Sequence, residues 1–349
     1  MRCFGCAQHD VLEKQHSILK TILTKLFDQQ PLTQAEAHAA MRQLGEGGAN
    51  PAETAAFLAV YRMRPITVAE LGGFRQALLE LCRDPELGTN DLVDIVGTGG
   101  DGKNTFNIST LACFVVAGAG VKVAKHGNFG VSSVSGSSNV LAHFGVDFED
   151  KPGRLRRQLD KAGICFLHAQ TYHPAMRHAG PVRRELGLRT FFNILGPLVN
   201  PARPNAQVLG VFSLELQRVY HYLLEPTDTR YAVVHALDGY DELSLTAAAK
   251  VMTSCEGELL LTPAGLGLHS ATLADLAGGP TVAAAAAVFE NILDGHATPV
   301  QRDVVTANAA LALRCARPGL AWPEALAQAR ESLDSGAARG ALARMLAAQ

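Results

Sequence analysis

The chain has 349 residues, 48% of them apolar, so it can bury one large core or two smaller ones and is not a small disulfide-stapled scaffold. Its formal net charge of -2 gives no broad attraction to nucleic acid or to a membrane surface. We therefore expect small molecules as its partners, with no nucleic acid and no membrane among them.

The cysteines indicate a reducing compartment, because there are seven, an odd number, and several lie in apolar segments. Cys3 and Cys6, with His9 nearby, form half of a zinc-site pattern, but no second cysteine pair follows at a suitable spacing. We interpret residues 1–10 as a disordered extension. No apolar run is long and charge-free enough to cross a bilayer, and residues 1–10 lack the apolar core of a signal peptide. These features predict a cytoplasmic protein.

The first quarter of the chain predicts a helical domain. The i, i+4 spacing of Ile18, Ile22 and Leu26 is typical of an amphipathic helix. Three further helix starts have a short polar residue followed three positions later by Glu, which satisfies the free N–H groups of a first helical turn. These pairs are Thr33 and Glu36, Asn50 and Glu53, and Thr67 and Glu70.

After residue 90 the pattern changes to short apolar runs that alternate with longer helical stretches, which is typical of an α/β fold with a mostly parallel central sheet flanked by helices. The predicted strands are Leu92–Val96, Val121–Ala124, Ile164–Leu167, Gln207–Phe212 and Ala232–His235. The alanine run at 283–287 is predicted to be helical.

Between the third and fourth strands, His173–Pro204 is rich in proline, glycine and arginine, unlike its neighbours. We therefore predict that this segment leaves the sheet and rejoins the helical domain. The predicted division is a helical domain of residues 11–86 with 174–204 and an α/β domain of residues 87–173 with 205–349.

The first predicted strand runs into a loop with four glycines in six residues, Gly97 to Gly102, and such a loop allows backbone N–H groups to approach an anion. A plain turn remains an alternative. A dinucleotide site would need an acidic residue about 20 positions further on, and none is there. A P-loop would need a hydroxyl where Asn104 stands, and Asp101 would place a charge among the phosphates.

A polyanionic substrate is favoured by the next segment, because residues 103–146 contain no Asp or Glu but include Lys103, Lys122 and Lys125. Asn107, Ser109 and Thr110 lie where a helix is predicted to begin, so hydroxyls and free N–H groups there suit a terminal phosphate. Simple helix capping is the alternative for these residues.

In this order and spacing, the glycine loop and five later blocks resemble those of the anthranilate phosphoribosyltransferases, from about Ile18 to the C-terminus. The blocks are Thr105–Thr110, Lys125–Asn128, His173–Met176 with Pro181–Gly187, Phe192–Pro201 and Asp238–Glu242. The resemblance implies a small helical domain hinged to a larger α/β domain, an active site in the cleft, a homodimer, and transfer of phosphoribosyl from phosphoribosyl pyrophosphate to anthranilate in tryptophan biosynthesis.

The resemblance also implies roles for individual residues and a magnesium ion as cofactor. The implied contacts to phosphoribosyl pyrophosphate are Gly97, Gly100, Asp101, Thr105, Asn107, Ser109, Thr110, Lys125 and Ser137. The implied contacts to anthranilate are Gly97, Asn128 and Arg183. The implied magnesium ligands are Ser109, Asp241 and Glu242. No general base is assigned, because the aromatic amine is neutral near pH 7 and needs orientation before it needs a base.

Two positions depart from the family pattern. Phe129-Gly130 follows Asn128 where the family usually has Arg and a small residue, and Gln170 replaces a common proline. We interpret His168, at a predicted strand end, as a packed histidine and not as a catalyst.

Two other functions are alternatives for a chain with this domain plan. A pyrimidine nucleoside phosphorylase shares the plan, but phosphorolysis gives no role to Asp241 and Glu242. A non-catalytic relative that binds nucleic acid is disfavoured by the near-neutral charge and by the retained Asn128 and Arg183.

Overall fold

The computed structural model describes residues 18–130 and 134–349, so Cys3, Cys6 and the proposed extension 1–10 lie outside the described residues. Two compact units are formed. Of the described residues, one unit comprises 18–82 with His173–Leu195, and the other comprises 83–130 and 134–172 with Gly196–Gln349. The first unit is thus discontinuous in sequence.

The first unit is helical. Its helices are α1 (Ile18–Phe27), α2 (Gln34–Gly45), α3 (Pro51–Met63), α4 (Val68–Leu81), α9 (Met176–Leu186) and α10 (Phe192–Leu195). The capping boxes predicted at Thr33, Asn50 and Thr67 are confirmed, with each side chain accepting from the N–H of the Glu three positions later. A buried acid, Glu70, accepts hydrogen bonds from Leu32 N at 2.9 Å and from the Tyr61 hydroxyl at 3.1 Å.

The second unit is built on a seven-stranded sheet. Its strands are β1 (Val93–Gly97), β2 (Val123–Gly127), β3 (Ile164–His168), β4 (Ala206–Gly210), β5 (Arg230–Ala236), β6 (Ala249–Thr253) and β7 (Gly257–Leu261). Its helices are α5 (Ile108–Gly118), α6 (Ser137–His143), α7 (Arg154–Ala162), α8 (Ala169–Tyr172), α11 (Leu214–Leu224), α12 (Val282–Leu293), α13 (Pro299–Ala316), α14 (Trp322–Asp334) and α15 (Ala337–Ala347).

The strand order is β3-β2-β1-β4-β5-β6-β7, with β1 to β5 parallel and the last two strands antiparallel. The predicted fold class is confirmed, since helices flank this mostly parallel sheet. The chain runs outward from β1 in both directions, so β1 and β4 form the switch point of the topology. Ligands of such sheets bind beyond the carboxyl ends of the strands at this point.

The core of the second unit centres on α5, whose residues from Leu111 to Val116 are completely buried. Phe114 of this helix meets the ring of Phe289 edge to face, with centroids 5.9 Å apart. This contact packs α5 against α12. No helix in the described part of the chain is both long and apolar enough to cross a membrane.

The segment after the helical excursion returns to the sheet earlier than the sequence predicted, because Gly196–Pro204 belongs to the second unit. Polar contacts account for this early return. The side-chain amide of Asn200 donates to Asp94 Oδ2 and to the carbonyl of Ala124, both at 2.8 Å. These two bonds attach the returning segment to β1 and β2.

Candidate active site

The glycine loop, Gly97–Gly102, follows β1 at the switch point. It lies against the acidic segment Asp238–Glu242, which follows β5. Gly97 pairs with Gly210 across β1 and β4, and a Cβ at either glycine would overlap Asp241. Asp241 Oδ2 accepts a hydrogen bond from the N–H of Gly99 at 2.8 Å. Only glycine at both strand ends therefore lets Asp241 lie this close to the loop.

The loop itself folds tightly. Gly99, Gly100 and Gly102 have φ values of +60°, +78° and +75°, a conformation that other residues adopt only at a cost. Asp101 Oδ1 accepts from the N–H of Lys103 at 3.0 Å, and the ammonium of Lys103 lies 4.6 Å from the ring centroid of Tyr240. The loop thus contacts the acidic segment at two points, Asp241 and Tyr240.

Helix α5 begins at the same edge of the sheet. Its N-cap residue is Asn107, as predicted, but the Asn107 side chain makes no capping bond and donates to the carbonyl of Ser135 at 3.0 Å. The N–H of Ser109 donates to Glu242 Oε1 at 3.0 Å. Simple capping by Asn107 is therefore wrong, and the first turn of α5 is joined to the acidic segment instead.

Lys125 is 2% exposed, and its ammonium donates to the carbonyl of Ile95 at 2.6 Å and to the hydroxyl of Ser109 at 3.5 Å. No carboxylate is among these partners. The buried cation consequently lies at the start of α5, where it adds positive charge to the helix end.

The pKa values of the three acids at this edge are raised. Burial, followed by the negative charge of Asp101, raises the pKa of Asp241 to about 7. Burial, followed by the charge of Asp241, raises the pKa of Glu242 well above its usual range. Burial also raises the pKa of Asp101. Because the charge of Asp101 raises the pKa of both Asp241 and Glu242, a bound cation would relieve the repulsion within this group of acids.

Within the described residues, no group of three or more His, Cys, Asp or Glu residues could hold a metal ion by itself. Asp241 and Glu242 supply two hard oxygen ligands, and magnesium takes its remaining ligands from water and substrate phosphates. The donor set therefore fits magnesium that arrives with a phosphorylated substrate and does not fit an all-protein cage.

The loop after β2 is held from several sides. The carbonyl of Asn128 accepts from the N–H of Ser138 at 3.1 Å and from the hydroxyl of Ser137 at 3.4 Å, which places Ser137 beside Gly127. The side-chain carbonyl of Asn128 accepts from the N–H of Phe129 at 2.9 Å and from the amide of Gln170 at 3.4 Å. Both departures from the family pattern therefore lie next to Asn128.

His168 is a packed histidine, as interpreted from the sequence. Its Nδ1 lies 2.9 Å from the hydroxyl of Ser138. Its ring stacks on that of Phe148, with centroids 4.7 Å apart, and meets the ring of Phe129 edge to face, with centroids 5.0 Å apart. Burial lowers the pKa of His168 to about 4, so the ring is neutral. Phe129 thus packs against the rings of Phe148 and His168 at the position where the family usually has Arg.

The remaining predicted residues occupy three environments. Thr105 pairs with Ala277 in a single β-bridge beside the start of α5, and Thr110, in the first turn, is 1% exposed. Arg183 lies in the last turn of α9 in the helical unit, with its guanidinium 4.8 Å from the ring centroid of Phe192. Its neighbour Arg184 is exposed.

Sequence reasoning missed the buried Asp94 as a structural centre of this edge. Asp94 Oδ1 accepts from the N–H of His126 at 3.2 Å, Oδ2 accepts from Asn200, and burial raises the pKa of Asp94 to about 6. His126 Nδ1 in turn lies 3.2 Å from the carbonyl of Gly196. A charge inside an apolar strand was the available signal, because such a group needs a partner.

Comparisons with known proteins agree with this geometry. The glycosyl transferase family model of the a/b domain matches residues 89–339, and the model of the helical bundle domain matches residues 20–82. Anthranilate phosphoribosyltransferase of Cytophaga hutchinsonii is 52% identical over 320 residues, which cover 92% of this chain and 97% of that protein.

Solved structures give the same result. The Thermus thermophilus enzyme has a TM-score of 0.87 at 40% identity, covering 93% of this chain and 98% of that one. The Saccharomyces cerevisiae enzyme in complex with PRPP and Mg has a TM-score of 0.86 at 27% identity, covering 95% and 98%. Its complex with 4-fluoroanthranilate has a TM-score of 0.83 at 26% identity, covering 95% and 99%. The chain belongs to the anthranilate phosphoribosyltransferase family.

Proposed function

We propose that this chain uses the edge formed by the glycine loop, the start of α5 and the acidic segment to hold phosphoribosyl pyrophosphate with magnesium during its family's reaction. That reaction forms a bond from the anthranilate nitrogen to C1 of the ribose and breaks the bond from C1 to pyrophosphate. The observation that carries the proposal is the packing of Asp241 against Gly97 and Gly99 at the switch point of the sheet.

The phosphates would be held mainly by backbone N–H groups and by hydroxyls. Gly97, Gly100 and Asp101 supply the loop, and Thr105 and Asn107 lead into α5. Ser109 and Thr110 lie in the first turn of α5, where the helix dipole favours an anion. Because Thr110 is buried, its backbone N–H is the group that would serve the ligand. Lys125 and Ser137 complete the proposed set.

Magnesium would be held by Asp241 and Glu242, with Ser109 as the third proposed ligand. The S. cerevisiae relative was solved in complex with both PRPP and Mg. When bound, the ion would neutralise charge on the pyrophosphate leaving group. The ion would offset the repulsion between the negative charges of Asp241 and Glu242, and this favours its binding between them.

Anthranilate would contact Gly97, Asn128 and Arg183. A guanidinium can donate two parallel hydrogen bonds to a carboxylate, which lysine cannot do, so Arg183 suits the carboxylate of anthranilate. Asn128 would contribute its Nδ2 group, because its Oδ1 already accepts two hydrogen bonds.

During the reaction, positive charge grows on the ribose ring and negative charge grows on the departing pyrophosphate, which takes the electron pair of the broken bond. Fixed N–H groups and charges that face these positions stabilise the transition state without reorganising. The amine then loses a proton, for which the described side chains need provide no dedicated base. Positioning and electrostatics account for the proposed catalysis.

The direct test mixes the full chain with magnesium, phosphoribosyl pyrophosphate and anthranilate and follows the fluorescence of anthranilate. We expect the fluorescence to fall only when all three are present, with pyrophosphate released in equal amount. No loss at high enzyme concentration would overturn the proposed function. Molecular mass in solution tests the homodimer, which also remains a proposal.

A further inference from the structure

The guanidinium of Arg183 is held by an aromatic ring and not by an acid. Its carbon lies 4.8 Å from the ring centroid of Phe192. Burial lowers the pKa of Arg183, and no negatively charged group in the described part of the chain opposes that effect. A partly buried cation without an acidic partner is costly unless something replaces its lost hydration.

The local fold explains how two residues nine positions apart meet. Helix α9 ends at Gly187, whose φ of +61° reverses the chain, and the N–H of Gly187 donates to the carbonyl of Arg183 at 3.2 Å. Thr190 and Asn193 then bond to each other, with Thr190 N donating to Asn193 Oδ1 at 3.1 Å and Asn193 N donating to the Thr190 carbonyl at 3.0 Å. This closed turn starts α10 and brings Phe192 under the last turn of α9.

The ring of Phe192 is itself fixed. It is 6% exposed and stacks on Phe191 with centroids 4.8 Å apart. Phe191 belongs to a cluster with three buried rings of α3 and α4. Its ring centroid lies 5.7 Å from that of Phe57, 5.2 Å from that of Tyr61 and 4.9 Å from that of Phe74. Phe192 therefore rests on the core of the helical unit.

We infer that Phe192 is a positioning residue for the acceptor substrate, because its ring holds the Arg183 guanidinium in a fixed plane. A carboxylate partner would neutralise the cation and use its paired N–H groups, whereas an aromatic face attracts the cation and leaves all five N–H groups free at the rim. The guanidinium then presents an unused fork to a ligand carboxylate. The inference rests on the proposed role of Arg183 and adds the residue on which that role depends.

Fluorinated phenylalanines test this electrostatic role, because they keep the ring shape while weakening its negative face. We expect the KM for anthranilate to rise stepwise with one, two and three fluorines at position 192, reaching about tenfold, since cation–π attraction at a desolvated site is of this size. The KM for phosphoribosyl pyrophosphate and the Tm should stay constant. Phe192→Leu should match or exceed the trifluoro variant.

The matched control is the same fluorine series at Phe191, which touches rings but no cation, and it should leave the KM for anthranilate unchanged. A flat series at position 192, or equal rises at both positions, would overturn the inference while leaving the enzyme active. A wild-type chain without turnover would overturn the proposed function instead. Equilibrium binding of anthranilate, followed by its fluorescence, would then still decide the inference, because the stepwise weakening applies to binding as well.

Discussion

The groups that we propose to bind substrate anions have opposite constructions in the two units. The edge of the α/β unit is made of backbone N–H groups, glycines and buried acids whose like charges disfavour each other. The helical unit offers the guanidinium of Arg183, which rests on the ring of Phe192. The first construction depends on close backbone packing. One added atom should therefore displace the loop and weaken its contacts with every substrate group that it binds. The second depends on one side chain, so its loss should affect one substrate.

The largest effect should come from Gly97→Ala, which would break the first construction. The added Cβ would overlap Asp241 Oδ2, so either the loop or the acid must move. A displacement of about 1 Å costs roughly 100-fold in rate, and we expect kcat/KM for phosphoribosyl pyrophosphate to fall by at least that factor.

Gly99→Ala is the matched control for Gly97→Ala. A Cβ at Gly99 meets nothing within 4 Å, and its φ of +60° should cost only about 1–2 kcal/mol of stability. Steady-state kinetics of both variants separate overlap from backbone strain. Equal losses in both variants would show that the contact with Asp241 is unimportant.

Next in size is Asp241→Asn, which removes one charge from the acidic segment but keeps an oxygen for the N–H of Gly99. We expect the magnesium concentration for half-maximal rate to rise about tenfold to a hundredfold, because a hard charged ligand is lost. We also expect the Tm without magnesium to rise, since a buried charge repelled by Asp101 is removed.

Asp238→Asn changes an exposed acid in the same segment and is the control. A magnesium titration of Asp241→Asn that coincides with the wild type would remove Asp241 from the proposed metal site.

Arg183→Ala addresses the second construction. Losing a charged hydrogen-bond partner should cost about 1.5–3 kcal/mol, which raises the KM for anthranilate roughly tenfold to a hundredfold. The KM for phosphoribosyl pyrophosphate should hardly change. Arg184→Ala, on the exposed side of the same helix, should behave like the wild type. If the loss falls on phosphoribosyl pyrophosphate, the contrast between the two constructions is wrong.

The last prediction concerns stability, and it addresses the packing beside the Asn128 loop. Because the pKa of His168 is lowered to about 4 when folded and returns to about 6.5 when unfolded, neutral His168 contributes stability that is lost as the pH falls from 6.5 to 4. The loss should reach at most about 3 kcal/mol.

His168→Gln should remove this part of the pH dependence while adding a constant offset for lost stacking. Denaturant unfolding at several pH values measures both terms. Parallel curves for the two proteins would mean that protonation of His168 does not differ between the folded and unfolded states.

The sequence predicted the parts of the fold that depend on local chemistry. The capping boxes at Thr33, Asn50 and Thr67 are determined within four residues. The first five strands were predicted from short apolar runs, although Asp94 interrupts the apolar residues of β1. The hairpin of β6 and β7 was not predicted, because β7 is a half-exposed edge strand in which Leu260 is 65% exposed. The three consecutive leucines at its end do not show the alternation of apolar and polar residues that indicates a strand with one exposed face.

For the site, the glycine loop and the acidic pair could be found from residue types and spacing. Contacts between distant residues could not, because one sequence does not say which partners meet. Asn200 and Asp94 are 106 positions apart, and the fit of Gly210 against Asp241 depends on strand register. The sequence indicated Phe192 only as the first residue of the block Phe192–Pro201, because its contact with Arg183 depends on the turn at Gly187.

The attachment of Asn200 to β1 and β2 has a consequence for the order of events during synthesis. Strands β1 to β3 precede the second helical segment, His173–Leu195. Asn200, which joins β1 to β2, follows that segment, as do the neighbouring strand β4 and the acids Asp241 and Glu242. A nascent chain that ends before residue 242 therefore has a glycine loop without its acidic partner. The edge made by the glycine loop, the start of α5 and these acids can be completed only after more than two thirds of the chain has been synthesised.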